Sequence, residues 1–232
     1  MKLGIMQPYF LPYLGYFQLI NAVDEFVIYD NIEYTKKGWF NRNRYLCNET
    51  DKYFTVPLEK DSDYLDVRER RVSSNFDKEK VKNQIKAAYK NAPYFEKVFP
   101  LFCECIDFEE QNLFLYIFNS IKIIMEYLNI QTKVVISSTI EIDHSLKAQN
   151  KVLAICEARG ATEYINPIGG LNLYDKKKFL NRGITLSFIE MTPQLEYKQF
   201  NNKFISSLSI IDVMMFNSQE QISEMLGQYR LL

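Results

Sequence analysis

The stretch Lys2-Leu-Gly-Ile-Met-Gln-Pro-Tyr-Phe-Leu-Pro-Tyr-Leu-Gly-Tyr-Phe17, continued by Glu25-Phe-Val-Ile-Tyr29, decides the fold. Lys2 to Met6 is a short apolar run of strand type. Pro8 and Pro12 bar a central strand and a helix interior alike, so a loop follows. Proline suits a first helical turn, which predicts a helix from near Pro12 through Leu14, Phe17, Leu19 and Ile20 to Ala22. Glu25 to Tyr29 is a second strand, bounded by Asp30 and Asn31. Such a β-loop-α-β unit implies parallel pairing. It places the Gln7 to Tyr16 loop at the carboxyl edge of the sheet, where open α/β sheets bind ligands.

Working outward, residues 39 to 46 and 53 to 58 alternate as strands around the polar turn Asn48-Glu-Thr-Asp51, a β-hairpin rich in cations. Helical periodicity then covers about 77 to 91, 93 to 106 and 109 to 129, with Asp77 and Pro93 as start signals. The α/β rhythm returns with a strand at 133 to 137, a helix at 145 to 159 ended by Gly160, and a strand at 163 to 166. A short helix at 174 to 181, stopped by Gly183, and a strand at 184 to 190 follow. Two tail helices, 206 to 216 and 219 to 226, meet at Asn217-Ser218, with Ser218 capping the second. The expectation is an α/β protein: a mostly parallel, Rossmann-like sheet with helices on both faces, a basic β-hairpin, and an all-helical insert over 77–129 inside one domain, 1–232.

Composition narrows the chemistry. The 232 residues include one histidine and four cysteines, so multi-histidine metal sites are excluded, and any nucleophile-histidine arrangement must use His144. No metal site is expected. Lys plus Arg (28) nearly balances Asp plus Glu (29), which leaves no field to draw duplex nucleic acid or an anionic membrane. Cys47, Cys103, Cys105 and Cys156 lack C-x-x-C spacing and the start is not a leader, pointing to a cytoplasmic protein with reduced thiols. Leu113 to Leu128 is apolar but interrupted by Asn119, Ser120, Lys122 and Glu126; it reads as a core helix, not a membrane span.

Six features could carry chemistry. Gln7, Tyr9, Tyr13 and Tyr16 stand beside a helix N-terminus, whose free N–H groups favour phosphate or carboxylate; alternatively the tyrosines pack with their hydroxyls in water. Lys36, Lys37, Arg42 and Arg44 place four cations in nine positions beside Trp39, the only tryptophan. Such arginines suit phosphate and an indole can stack on a base or sugar; alternatively they pair with Glu33, Glu49 or Asp51. Asn41 and Asn43 share the opposite strand face. Asn166-Pro-Ile-Gly169-Gly170 follows a strand and allows close backbone approach to a ligand, or is a plain turn. Ser209 and Asp212 share a helical face, as a polar site or a helix-start pair, and His144 is either a general base or a surface or capping residue. Cys47 is either a nucleophile or a small buried thiol.

Four segments together resemble the WbqC-like family: Ile5 to Phe17, Asp30 to Arg44 with Asn41-Arg-Asn-Arg44, Tyr164-Ile-Asn-Pro-Ile-Gly-Gly170, and Leu208-Ser-Ile-Ile-Asp-Val-Met-Met-Phe-Asn217. The resemblance spans essentially the whole chain. It implies a bacterial protein of O-antigen, lipopolysaccharide or other surface-polysaccharide biosynthesis, with a glycine or other acyltransferase role, and it carries over no catalytic residues. Tyr13-Leu-Gly-Tyr16 is also similar to the His-x-Gly-His loop of nucleotidyltransferases, but tyrosine cannot readily carry the positive charge that those histidines supply.

The resulting expectation is an enzyme that binds a nucleotide-linked amino sugar and acylates its amine. Lys36, Lys37, Arg42 and Arg44 meet the phosphates, with Asn31, Asn166, Ser209 and Asp212 among the binding residues. His144 is the candidate base, and Tyr13, Tyr16 or the Gly169-Gly170 amides the oxyanion donors. The donor would be an acyl thioester of coenzyme A or a carrier protein. Alternatives are nucleotidyl or adenylyl transfer with ATP and magnesium, and a non-catalytic nucleotide-sugar or assembly module.

Overall fold

The computed structural model describes residues 1–62, 64–192, 195–201 and 203–232. The opening unit forms as its pattern predicts: β1 (Lys2–Met6), α1 (Leu14–Asn21) and β2 (Glu25–Ile28). The hairpin is β3 (Arg42–Cys47) and β4 (Thr50–Thr55), and α2 (Lys78–Tyr89), α3 (Phe95–Asp107) and α4 (Leu113–Tyr127) follow it. The α/β part resumes with β5 (Lys133–Ile136), α5 (Ala148–Ala158), β6 (Glu163–Pro167), α6 (Lys176–Leu180) and β7 (Thr185–Met191). The chain closes with α7 (Ile210–Phe216), α8 (Gln219–Leu226) and β8 (Tyr229–Leu231).

The main sheet has the order β5-β2-β1-β6-β7-β8, parallel throughout except that β8 runs antiparallel to β7. From β1 the chain fills one side with β2 and β5, then crosses to fill the other with β6 and β7. The order therefore reverses between β1 and β6, the switch point at which doubly wound sheets open a crevice for ligands.

Alternation along each strand builds two cores. Leu3, Ile5, Val27, Tyr164 and Phe188 face α5 and α6, whereas Phe26, Ile28, Ile165 and Ile189 face α1 and the remaining helices. No helix among the described residues is long and apolar enough to cross a membrane; Leu113, Ile117, Ile121 and Ile124 of α4 are wholly buried. All four cysteines are free thiols.

Several boundaries differ from the sequence pattern, each for a local reason. The hairpin turn is only Asn48-Glu49, with Asn48 at φ 56, so Thr50 and Asp51 belong to β4 rather than to the turn. Helix α5 starts three residues late because the Asp143 carboxylate accepts from both the Ser145 amide and hydroxyl, closing a turn instead. Helix α7 starts at Ile210 because Ser207, at φ 55, breaks the helix before it. Strand β8 is too short to show a period of its own.

Candidate functional site

Two cavities open at the carboxyl edge of the sheet, one on each side of the β1–β6 seam. The larger, about 720 Å³, lies between Gln7 and Tyr9 after β1, Tyr29 and Asn31 after β2, Asn166, Pro167, Gly169 and Gly170 at and beyond the end of β6, and the first turn of α5. The smaller, about 490 Å³, lies on the α1 side, against Tyr13, Gly15, Trp39, Asn43, Arg44 and Met191. Met6, Tyr9, Pro167 and Gly169 line both. They are the wall between them.

The opening loop is held by bonds to its own carbonyls. Leu11 sits at φ 44, a left-handed conformation that costs a branched residue about 1–2 kcal/mol. The Asn43 amide offsets this by donating to the Phe10 and Leu11 carbonyls at 3.2 and 2.8 Å, and the Ser209 hydroxyl donates to Leu11 at 2.8 Å. The Tyr16 hydroxyl is buried and donates to the Gln7 carbonyl at 2.9 Å. Burial pushes its pKa well above the ordinary tyrosine value. Tyr16 thus braces the loop and lines neither cavity. Tyr13 does line the smaller one, and its ring lies where a side chain at residue 15 would be, which explains Gly15 in the Tyr-Leu-Gly-Tyr run.

The Tyr9 hydroxyl donates to the Gln7 side-chain carbonyl at 3.0 Å. Burial, with Tyr13 adding to it, pushes the Tyr9 pKa up to about 12. It is a hydrogen-bond donor at neutral pH.

The hairpin arginines are engaged by backbone carbonyls of the protein itself. Arg42 donates to the Gly38 and Lys37 carbonyls and lies over the rings of Trp39 and Tyr53, lining neither cavity. Arg44 reaches the smaller cavity, but its guanidinium pairs with Asp51 at 3.4 Å and donates to the Ser206 and Ser207 carbonyls. Lys36 and Lys37 are exposed on the turn. Asn41 is buried, its amide bonded to the Val56 carbonyl. Ser209 and Asp212 lie fully buried in and before α7, outside both cavities.

His144 is exposed and outside the wall of the larger cavity. Its Nδ1 lies 2.9 Å from the Asn31 amide nitrogen and its Nε2 3.0 Å from the Ile140 carbonyl oxygen, partners that suit an acceptor at Nδ1 and a donor at Nε2. Asn31 is further fixed by the Ser137 hydroxyl, which donates to its side-chain oxygen at 2.6 Å. His144 therefore positions Asn31 at the cavity rather than entering it.

The cation at the site was not singled out from sequence, nor were Tyr29, Tyr64, Lys147, Gln149 and Tyr174, which share its cavity. Lys151, one turn into α5, is only 6% exposed and lines the larger cavity. Its ammonium donates to the Asn31 carbonyl at 3.3 Å and stands 4.9 Å from the centre of the Tyr29 ring. Burial lowers its pKa from the ordinary lysine value, against an opposing pull from Asp66. Ala148, at the entry to the same helix, holds φ 47.

Across the cavity, the Asn166 side chain accepts from the Tyr164 hydroxyl at 2.8 Å and donates to the Pro167 carbonyl at 2.9 Å. A Cβ at residue 170 would overlap the Asn166 amide nitrogen. Gly170→Ala should expel that side chain, cost about 1–3 kcal/mol in urea unfolding, and narrow the larger cavity. In the Asn166→Ala background the same change should cost nearly nothing; equal costs in both backgrounds would show that the overlap is irrelevant.

The fold is that of a doubly wound α/β protein with two adjoining cavities at its switch point. The chain belongs to the WbqC-like protein family, whose model matches residues 7–224. A similar chain is the uncharacterized protein Rv1507c of Mycobacterium tuberculosis (strain ATCC 25618 / H37Rv), 29% identical over 216 residues that span 92% of each chain. No solved structure matches.

Proposed function

We propose that this protein is a transferase that joins an acyl or aminoacyl group to the amine of a nucleotide-linked amino sugar in surface-polysaccharide biosynthesis. The observation that carries the reading is the pair of cavities meeting at Tyr9 and Gly169, as a two-substrate transfer requires. Rings and amides dominate the larger: Tyr29, Tyr64 and Tyr174 with Gln7, Asn31 and Asn166. Rings stack on sugars and bases, and amides offer both donors and acceptors to hydroxyls. The smaller, with Met6, Trp39, Ile189 and Met191, suits the apolar arm of a thioester donor.

In the reaction the sugar amine attacks the thioester carbonyl. A C–N bond forms and the C–S bond breaks; the proton given up by the amine passes to the departing thiolate, which leaves as the thiol. The oxyanion develops at the shared wall, within the setting of the Tyr9 hydroxyl. Adenylyl transfer at the Tyr13-to-Tyr16 loop has less support, because the Tyr16 hydroxyl is committed to the Gln7 carbonyl.

Thermal melting tests the reading. Nucleotide-linked amino sugars and coenzyme A thioesters are each expected to stabilise the protein, by about 2.7 kcal/mol at a hundredfold excess over Kd. If no nucleotide sugar moves the transition, the reading is rejected.

A further inference from the structure

Lys151 is a buried cation with no ion pair among the described residues. An ammonium has three donors, and only one is engaged here, by the Asn31 carbonyl at 3.3 Å. The Tyr29 ring face at 4.9 Å adds a cation–π contact. Removing a charge from water without a counter-ion is costly, so the floor of the larger cavity is poised for an anion.

Independent features converge on the same place. Lys151 and Lys147 lie one turn apart at the start of α5, the end at which unpaired N–H groups and the helix dipole already favour an anion and disfavour cations. The Gln149 side-chain nitrogen, in the same cavity wall, is buried without a partner. The acids that share the cavity are Glu33 and Asp66. The Asp66 carboxylate is held in its own capping box and faces Arg68 at 3.7 Å; with Asp30 it pulls on Lys151 through space but forms no ion pair with it among the described residues. On the hairpin, by contrast, Arg42 and Arg44 are spent on backbone carbonyls and Asp51.

We propose that Lys151, with Lys147, Gln149 and the first turn of α5, binds the diphosphate of the nucleotide-linked substrate in the larger cavity. This rests on the transferase reading above and moves its phosphate site from the hairpin to α5. The tyrosines of the same cavity then flank the sugar and base.

Calorimetric titration with uridine 5′-diphosphate and with inorganic pyrophosphate tests it, on the wild type and on Lys151→Met, Lys151→Arg and Arg42→Ala. Lys151→Met should weaken both probes at least about tenfold, Lys151→Arg should retain most of the affinity, and Arg42→Ala should stay within about twofold of the wild type. Without ligand, Lys151→Met should melt about 3 °C or more above the wild type, because an uncompensated buried charge has been removed. A merely structural lysine would move that melting point downward, which would overturn the proposal. Equal affinity of wild type and Lys151→Met for the diphosphate would also overturn it, while leaving the nucleotide reading intact. A wild type that binds neither probe removes both.

Discussion

Replacing Asp212 with alanine is expected to destabilise the fold by about 3–5 kcal/mol and to lower the melting temperature by about 10 °C. The residue is fully buried in α7. One carboxylate oxygen accepts from the Tyr89 hydroxyl at 2.7 Å; the other accepts from the Tyr197 hydroxyl at 2.5 Å and the Gln199 amide at 2.7 Å. The Tyr89 hydroxyl in turn accepts from the Leu46 amide at 2.8 Å, so the network ties α7 to α2 and to the hairpin. Alanine would strand these donors in a dry site, where each unsatisfied group costs about 1–3 kcal/mol. Urea unfolding measures the change, and a loss below about 1 kcal/mol would show that the network is not cooperative.

The same carboxyl has a predictable pH signature. Its pKa is raised, by burial first, against the lowering effect of Tyr197, Tyr89 and Gln199. The native state therefore takes up this proton at higher pH than the unfolded chain does. As pH falls through the raised native value toward the unfolded one, about 3.9, the group adds stability to the native state. Asp212→Asn lacks that titration, so the stability gap between wild type and this variant should widen on acidification over that window. A gap that narrows would mean that the hydrogen bonds outweigh burial.

The sheet was readable because the strands of its parallel core carry short apolar runs, most of them set off by a nearby proline, glycine or asparagine. Strand β8 was not, since Tyr229 to Leu231 pairs with β7 only after the chain has been brought back by α7 and α8. The position of the cavities was readable too, since a β-loop-α-β unit puts Gln7 and Tyr9 at the carboxyl edge regardless of distant contacts. Its buried cation was not. Lys147 and Lys151, one turn apart, look like a solvated helix face, and Lys151 is buried only because Tyr29 and Asn31 of a remote segment cover it. A signal was available nonetheless: two lysines at the end of a helix where the dipole disfavours cations. Conversely, Asn41, Ser209 and Asp212 combine polarity and loop position as ligand-binding residues do, yet their polar atoms meet carbonyls and hydroxyls of the protein itself.

Tyr9→Phe is expected to lower kcat for acyl transfer about 100-fold while leaving KM for both substrates within about threefold. Tyr9 lines both cavities, and its ring is fixed against Phe40 and Tyr16, with ring centres 5.9 Å away in each case. Phenylalanine preserves that packing. What it removes is the hydroxyl, which in the free protein donates to Gln7 at 3.0 Å and can turn about its C–O bond toward a developing oxyanion. With its pKa pushed up to about 12, that hydroxyl keeps its proton through the neutral range and acts as a donor, never as the base that receives the amine proton. Loss of one such donor removes stabilisation present only in the transition state, which is why kcat falls and KM does not. Thiol release from a thioester in the presence of a nucleotide-linked amino sugar measures the rate, and urea unfolding should show a stability loss of no more than about 1.5 kcal/mol. An unchanged kcat would remove Tyr9 from the reaction and direct the search for the oxyanion donor to Tyr13 and the Gly169-Gly170 turn. A rise in KM at constant kcat would instead make Tyr9 a ground-state binding residue, its hydroxyl reading the substrate rather than the transition state.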